Sequence, residues 1–311
     1  MAPKHFLSLA DWPREEIELL LEEAAAIKAD PQSYASALSG QSLAMIFQKA
    51  STRTRVSFEV GMFQLGGQAL FLSASDIQLH RGETIADTAR VLSRFVHGIM
   101  ARVYAHQDIL DLAGYASVPV INGLSDLLHP CQALADYFTL RERRGELAGL
   151  KLAYVGDGNN VAHELMYGAL KLGMRFSIGC PKGYEPDAQV CRNALHQARK
   201  LGAPLPEVTV DPLQAVRGAD VVYTDVWTSM GQEAESARRL AAFQGYEVTP
   251  ALMAAAGSQA VFMHCLPAHR GEEVAAEVID GPQSVVFDEA ENRLHVQKAV
   301  LVTLLGDKGE D

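Results

Sequence analysis

Ser42-Leu43-Ala44-Met45-Ile46-Phe47, Gln48-Lys49-Ala50 and Ser51-Thr52-Arg53-Thr54-Arg55 follow one another without a break, and the rest of the chain can be read from them. The first six residues form a short apolar run of buried-strand type. The last five bring three hydroxyls and two guanidiniums into one turn, where a strand hands over to a helix. A helix N-terminus presents unpaired backbone N–H groups and a partial positive charge, so it attracts anions. Arg53 and Arg55 add forked donors that match phosphate oxygens. Ser or Thr ahead of a helix is also an ordinary N-cap. Five such residues in a row point beyond capping, to a site for a small, doubly charged anion. Arg55 is expected to pair with Glu59, one helical turn on.

Outward from this unit, short apolar runs alternate with helical patterns. Strands are expected near 42–47, 68–73, 98–103 and 118–122, then near 151–156, 176–180, 207–211, 220–226, 260–266 and 285–289. Such alternation predicts an α/β protein of parallel sheets. A chain of 311 residues suggests two domains. The expected division is 1–143 plus a C-terminal helix within 295–311, and 144–294. Each domain is then a parallel sheet flanked by helices, with the last helix packing back on the first. A first helix is signalled by Asp11 as N-cap, Pro13, and the acidic run Glu15, Glu16 and Glu18.

The net charge of −11, from 27 basic and 38 acidic residues, argues against general nucleic-acid binding, so any anion site must be local. No apolar run approaches the ~18–20 residues of a membrane span. The N-terminus lacks the pattern of a signal or transit peptide. Cys131, Cys180, Cys191 and Cys265 show no close metal-binding spacing, and a reducing cytoplasm is the expected compartment.

Open α/β sheets bind ligands at the carboxyl ends of their strands. Beyond the strand ends stand Arg102 and His106, then Asn122 and His129-Pro130-Cys131-Gln132, then Asp157-Gly158-Asn159-Asn160. Further on come Asp225-Val226-Trp227-Thr228-Ser229-Met230-Gly231, His264-Cys265-Leu266-Pro267, and Glu291-Asn292-Arg293. Each alone has a simpler reading: a core histidine, a helix cap, a small buried thiol, a tight turn. Together, polar residues at nearly every carboxyl end suggest one cleft served by both halves.

Phe47-Gln48-Lys49-Ala50-Ser51-Thr52-Arg53-Thr54-Arg55-Val56-Ser57-Phe58-Glu59 resembles the carbamoyl-phosphate signature of the aspartate/ornithine carbamoyltransferase family. His129-Pro130-Cys131-Gln132 with Asp136 is similar to that family's second shared motif. Asp225 to Gly231 and His264 to Pro267 resemble its ornithine branch. The resemblance covers almost the whole chain in the right order. It implies transfer of the carbamoyl group of carbamoyl phosphate to the δ-amine of L-ornithine, giving citrulline and phosphate, with no metal or organic cofactor and in a homotrimer or a multiple of trimers. It further implies phosphate on Ser51, Thr52, Arg53 and Thr54, and a carbamoyl oxygen polarised by Thr54, Arg102 and His129. Gln132 is implied to hold the carbamoyl amide, and Gln78 to reach phosphate in a neighbouring subunit. Ornithine is implied to meet Asn160, Asp225, Ser229 and Met230, with Cys265 and the Leu266 carbonyl near its δ-amine and Arg293 facing the developing oxyanion. Gln48, Ala50 and His80 depart from residues frequent in the family.

Three rivals compete with this reading. One is a carbamoyltransferase for another acceptor, such as aspartate, whose second carboxylate would need basic groups, or putrescine, which lacks the α-carboxylate. A non-enzymatic anion-binding protein is another; it explains residues 51–55 but not Asp225, Cys265 and Arg293. The third is a dinucleotide-binding oxidoreductase, since Gly156-Asp157-Gly158 imitates the start of a nucleotide fingerprint. The third glycine of that fingerprint is missing, and the next strand ends in Cys180-Pro181 rather than an acid.

Overall fold

The computed structural model describes residues 4–75, 77, 82–229 and 231–306. The chain divides into two compact units, Met1–Phe138 with Glu291–Asp311, and Thr139–Ala290.

In the first unit a helix, α1 (Arg14–Ala29), buries Ile17, Leu20, Leu21, Ala24 and Ile27, an apolar stripe at helical spacing. Asp11 is not its N-cap. Asp11 ends a 3-10 turn, Leu9–Asp11, that Ser8 caps, and Pro13 starts the helix without a side-chain cap. The sheet contains β1 (Ser42–Phe47), β2 (Gln68–Ser73), β3 (Gly98–Arg102) and β4 (Val120–Leu124) in the order β2-β1-β3-β4, all pairs parallel. The crossovers are α2 (Thr52–Gln64), α3 (Ile85–Leu92) and α4 (His106–Tyr115); α5 (Pro130–Arg144) leaves the last strand. β1, β3 and β4 read as continuous apolar runs because both faces of a parallel sheet are covered. β2 lies at the edge and leaves Leu70 and Phe71 exposed.

The second unit holds β5 (Lys151–Val155), β6 (Arg175–Gly179), β7 (Glu207–Thr209), β8 (Val221–Tyr223) and β9 (Val261–Met263), ordered β7-β6-β5-β8-β9 and again parallel. Its helices are α6 (Asn160–Lys171), α7 (Ala188–Leu201), α8 (Pro212–Val216), α9 (Ser236–Ala242), α10 (Pro250–Ala256) and α11 (Ala276–Ile279). Ala153, Val155, Val222, Phe262, Val248 and Val274 belong to one of its buried apolar clusters.

The strand expected at 285–289 is absent. The segment pairs with the sheet only at its start: Ser284 bridges Phe262, and the Val285 N–H donates to the Phe262 carbonyl at 3.0 Å. From Val286 the backbone is already helical, in α12 (Val286–Leu305), which carries Asp288 and Glu289 in its first turn. The later part of α12 packs on α2 within the first unit. There Lys298 Nζ donates to Gln64 Oε1 at 2.9 Å, and a Cβ at Gly61 would lie 3.3 Å from Lys298 Cγ. Glycine permits this approach of the two helices.

Candidate active site

Chain order turns back on itself at one place in each sheet. In the first, β2 lies on one side of β1 and β3 on the other; in the second, β6 lies on one side of β5 and β8 on the other. Such a switch point opens a crevice beyond the carboxyl ends of the two flanking strands. The expected residues gather at both.

At the first switch point, Phe47 and Arg102 are register partners at the ends of β1 and β3, and the Gln48 N–H donates to the Arg102 carbonyl at 2.8 Å. The register of β3 against β4 slips between Ala101 and Arg102. Such an irregularity re-aims the residue it precedes. Ser51 caps α2, its Oγ accepting from the Thr54 N–H at 3.2 Å, so the capping role and the head of the helix coincide. Arg55 departs from the anion turn. Its Nε donates to Glu59 Oε1 at 3.0 Å, and its guanidinium lies 3.7 Å from the Phe71 ring centroid.

Thr54, His129, Gln132 and Arg293 are all buried. Arg293 donates from Nη1 to Gln132 Oε1 at 2.7 Å and from Nη2 to Thr54 Oγ1 at 3.1 Å. Gln132 in turn donates to Asp136 Oδ1 at 2.8 Å. Gln297, one turn further along α12, has the amide orientation its neighbours require when its oxygen accepts from Arg293 Nε at 3.1 Å and Nη2 at 2.9 Å. These bonds fix a guanidinium on three sides. His129 is held well below its usual pKa, first by burial and then by the positive fields of Arg293, Arg102 and Arg53. It is therefore a neutral imidazole, one ring nitrogen a donor and the other an acceptor. Its Nδ1 is buried and meets no hydrogen-bond partner among the described residues. Neutral donors and fixed cations around one point can hold an anion and polarise a carbonyl oxygen.

At the second switch point, the turn after β5 leads into α6. Gly158 is required there: a Cβ would meet Pro186 N at 2.2 Å. Asn159 caps α6, its Oδ1 accepting from Val161 and Ala162 N–H groups at 3.0 and 3.2 Å and from the Tyr154 hydroxyl at 3.2 Å. Its Nδ2 donates to Asp225 Oδ2 at 2.8 Å. The other Asp225 oxygen accepts from Cys265 Sγ at 3.1 Å. Burial, reinforced by the charges of Asp225 and Asp157, pushes the Tyr154 phenol well above its usual pKa, so it stays a donor.

Cys265 is preceded by a buried support. The His264 backbone N–H donates to Glu289 Oε2 at 3.0 Å, and Glu289 Oε1 accepts from Tyr223 at 3.1 Å. His264 Nδ1 accepts from the Leu266 N–H at 2.8 Å, which leaves the proton on Nε2, 3.2 Å from Glu273 Oε1. Leu266 sits at φ 55°, the left-handed region that a branched side chain seldom adopts. The His264 bond holds it there. Asp225, His264 and Cys265 bring potential metal-ligating atoms within 4.8 Å of one another. Both His264 nitrogens, both Asp225 oxygens and the thiol have hydrogen-bond partners within the unit.

Of the expected site residues, Ser51, Thr54, Arg102, His129, Gln132 and Arg293 fall in the first unit, with Thr52 and Arg53 in the opening turn of α2. Asn160, Asp225, Ser229, Cys265 and Leu266 fall in the second. Ser229 stands in a turn, its carbonyl accepting from the Gln232 N–H at 3.0 Å. Gln78 and Met230 lie outside the described residues. Gln297, Asn159, Tyr154, Glu273 and Glu289 support the site and were not expected as such, apart from Asn159 as a neighbour of Asn160. For Glu289 the reason is distance along the chain, since its partner Tyr223 is 66 residues away.

Comparison with known proteins matches both units. A family model for the aspartate/ornithine carbamoyltransferase carbamoyl-P binding domain matches residues 4–142, and one for the Asp/Orn binding domain matches 148–304. An ornithine carbamoyltransferase of Symbiobacterium thermophilum is 60% identical over 97% of this chain and 98% of that relative. An anabolic ornithine carbamoyltransferase of Pyrococcus furiosus is 57% identical over 98% of each. The solved structure of the Pyrococcus furiosus ornithine carbamoyltransferase superposes with a TM-score of 0.93 at 56% identity, covering 100% of this chain and 99% of the other. Two sheets with their switch points in use, two matching domain models and full-length identity of this order lead to one conclusion: the chain belongs to the aspartate/ornithine carbamoyltransferase family.

Proposed function

We propose that the chain transfers the carbamoyl group of carbamoyl phosphate to the δ-amine of L-ornithine, yielding L-citrulline and phosphate. The first unit takes carbamoyl phosphate. The head of α2, with Ser51, Thr52, Arg53 and Thr54, receives the phosphate, as a helix N-terminus favours. The carbamoyl oxygen meets Thr54, Arg102, neutral His129 and Arg293, while Gln132 holds the carbamoyl amide. The second unit takes ornithine. Asn159 already serves as cap and as donor to Asp225, so Asn160 is the assigned contact to the α-amino acid end. Asp225 faces the cationic α-amino group, and Ser229 and Met230 close over the ligand. Cys265 and the Leu266 carbonyl receive the δ-amine.

Once the δ-amine has lost its proton, its lone pair attacks the carbamoyl carbon. The new C–N bond forms, charge gathers on the carbamoyl oxygen and then returns to the carbon as the C–O bond to phosphate breaks, with its electrons leaving on phosphate, which also takes the proton the attacking nitrogen sheds. Donors placed in advance around that oxygen supply much of the acceleration, and orientation of the two reactants supplies much of the rest.

One observation carries the choice of acceptor: the Cys265–Asp225 bond at 3.1 Å. A carboxylate and a thiol at the ends of β8 and β9 suit an amine. An acceptor with a second carboxylate needs cations there, and the buried Arg239 is engaged by Asp157 and the Trp227 carbonyl. A citrulline assay with a panel of acceptors is the test. Faster turnover on putrescine than on ornithine overturns the substrate assignment.

We further propose a homotrimer, or a multiple of one, in the cytoplasm. The edge strand β2 exposes Leu70 and Phe71, and α2 exposes Phe63 at 80%. An unpaired edge with apolar side chains is a surface that invites a partner. In that assembly Gln78 serves a neighbouring subunit. Among the described residues no helix is long and apolar enough to cross a membrane. A monomeric mass in sedimentation equilibrium overturns the assembly.

A further inference from the structure

Arg239 lies on the short helix α9 and is only 7% exposed. Its Nη1 donates both to Asp157 Oδ2, at 2.9 Å, and to the Trp227 carbonyl, at 2.9 Å. Its Nε donates to Glu235 Oε2 at 3.3 Å, and its guanidinium lies 5.1 Å from the Tyr184 ring centroid. Tyr184 packs edge-on against Phe243 at 4.8 Å, and Phe243 stacks on Trp227 at 5.4 Å. The Tyr184 carbonyl accepts from the Gly158 N–H at 2.9 Å. These contacts close a ring. Two segments, the turn after β5 and the segment after β8, are each held twice, once by Arg239 and once by the aromatic pile.

Both segments carry acceptor residues. The Asp157 carbonyl accepts from the Asn159 N–H at 2.7 Å and so begins the turn that presents Asn159 and Asn160. Trp227 follows Asp225 by two residues and precedes Ser229 by two. The geometry points to Arg239 as a positioning residue for the acceptor amino acid: through Asp157 and the Trp227 carbonyl it sets the spacing of Asn160, Asp225 and Ser229, and thereby the affinity for the acceptor, without touching it. This inference rests on the assignment of those three residues to ornithine.

The ring is also sensitive to protons. The Asp157 carboxyl is pushed up to about 6, chiefly by burial; Arg239 pulls it down, while Asp225 and Glu235 push it up. Tyr154 on β5 and Cys180 after β6 also feel its charge. Above that pH the ionised carboxylate holds Arg239 by a charge-assisted bond, and below it the bond weakens. The effect on folding runs the other way. A carboxyl whose pKa is raised on folding contributes stability below its ordinary range, and that contribution is lost as pH rises through about 6. Acceptor affinity and fold stability therefore move in opposite directions across the same window.

The experiment compares Asp157→Asn, Arg239→Gln and Arg239→Lys with the parent, measuring steady-state kinetics for ornithine, carbamoyl-phosphate binding and thermal midpoints from pH 5.5 to 8.5. Asp225→Asn is the control for the acceptor site itself. At pH 8, Asp157→Asn is expected to raise the ornithine KM roughly tenfold with kcat and carbamoyl-phosphate affinity little changed, as expected when binding common to the ground and transition states is lost. Its thermal midpoint is expected to equal or exceed the parent's. The parent's ornithine KM rises as pH falls through about 6, whereas that of Asp157→Asn stays flat across this window. Arg239→Lys keeps the charge without the fork and restores part of the loss seen in Arg239→Gln. An unchanged ornithine KM in Asp157→Asn, while Asp225→Asn raises it, overturns the positioning role alone. If Asp225→Asn also leaves it unchanged, the acceptor assignment falls and the inference with it. Equal losses in both substrates accompanied by a lowered thermal midpoint reduce Arg239 to a structural ion pair and also overturn the proposal.

Discussion

The two units meet charge in opposite ways. The first surrounds its switch point with guanidiniums and a histidine kept neutral by burial and by Arg293, Arg102 and Arg53. The second surrounds its own with carboxylates, a thiol and a phenol, and keeps the buried Arg239 occupied with Asp157. Under the proposed function, one half receives negative charge and stabilises more of it as it develops. The other receives a cation, one of whose amines loses a proton. The same β-α-β scaffold does both because the residues that matter stand past the strand ends, where side chains change without disturbing the sheet.

The largest expected effect breaks the first unit alone. Arg293→Ala removes the donor that the proposed function sets at the carbamoyl oxygen and takes one hydrogen bond each from Thr54 and Gln132, so kcat should fall by about 10²–10³ in steady-state assays. Arg53→Ala should raise the carbamoyl-phosphate Kd by roughly tenfold or more while leaving ornithine recognition near the parent value, measurable by calorimetry. Equal weakening of both substrates erases the contrast between the units. In the second unit, Cys265→Ala removes the thiol donor to Asp225, and kcat/KM for ornithine should drop about tenfold with carbamoyl-phosphate affinity preserved. Glu273→Ala strands the buried His264 Nε2–H and takes the carboxylate from the His269 N–H, at a cost of about 1–3 kcal/mol in denaturant unfolding.

The smallest effect is the sharpest test of the comparison. His129 is depressed on folding, so its contribution to stability is present above the ordinary histidine range and is lost as pH falls below about 6.5. Asp157 is raised, and its contribution is lost as pH rises through about 6. The pH slope of the thermal midpoint, measured from pH 5 to 8, should therefore shift in opposite senses relative to the parent: His129→Asn loses the fall in stability toward acid, and Asp157→Asn loses the fall as pH rises toward about 6. Parallel slopes sink the contrast.

Most of this contrast was legible in local patterns. β1 and β2 lie where the apolar runs predicted: β1 is a covered parallel strand, marked by a short apolar run alone, and β2 keeps such a run although it is exposed at the sheet edge. The hydroxyl-arginine turn announced a helix head, and Ser51 caps it. Two readings failed where tertiary pairing overrode local preference. Val285-Val286-Phe287 has strand-like residues, yet only its first residue joins the sheet before Asp288 and Glu289 open a helix. Asp11 looked like a cap, but Ser8 and Pro13 shape that turn. The supports were illegible for a simpler reason. Arg239 looks like any charged residue on a helix, since its partner Asp157 is 82 residues away; Glu289 is distant from Tyr223 in the same sense.

Gly158 carries a consequence for reshaping the enzyme in the laboratory. Any side chain there collides with the backbone at Pro186, 2.2 Å from the first carbon it would add. A library that randomises the turn beside the acceptor will therefore return glycine at this position and spend its diversity elsewhere. In the segment after β8, Ser229 and Gln232 bond to each other, the Ser229 N–H donating to Gln232 Oε1 at 3.3 Å and the Gln232 N–H to the Ser229 carbonyl at 3.0 Å. Selection for a longer or shorter amine is expected to write its changes there first, while the Gly158 codon stays silent through every round.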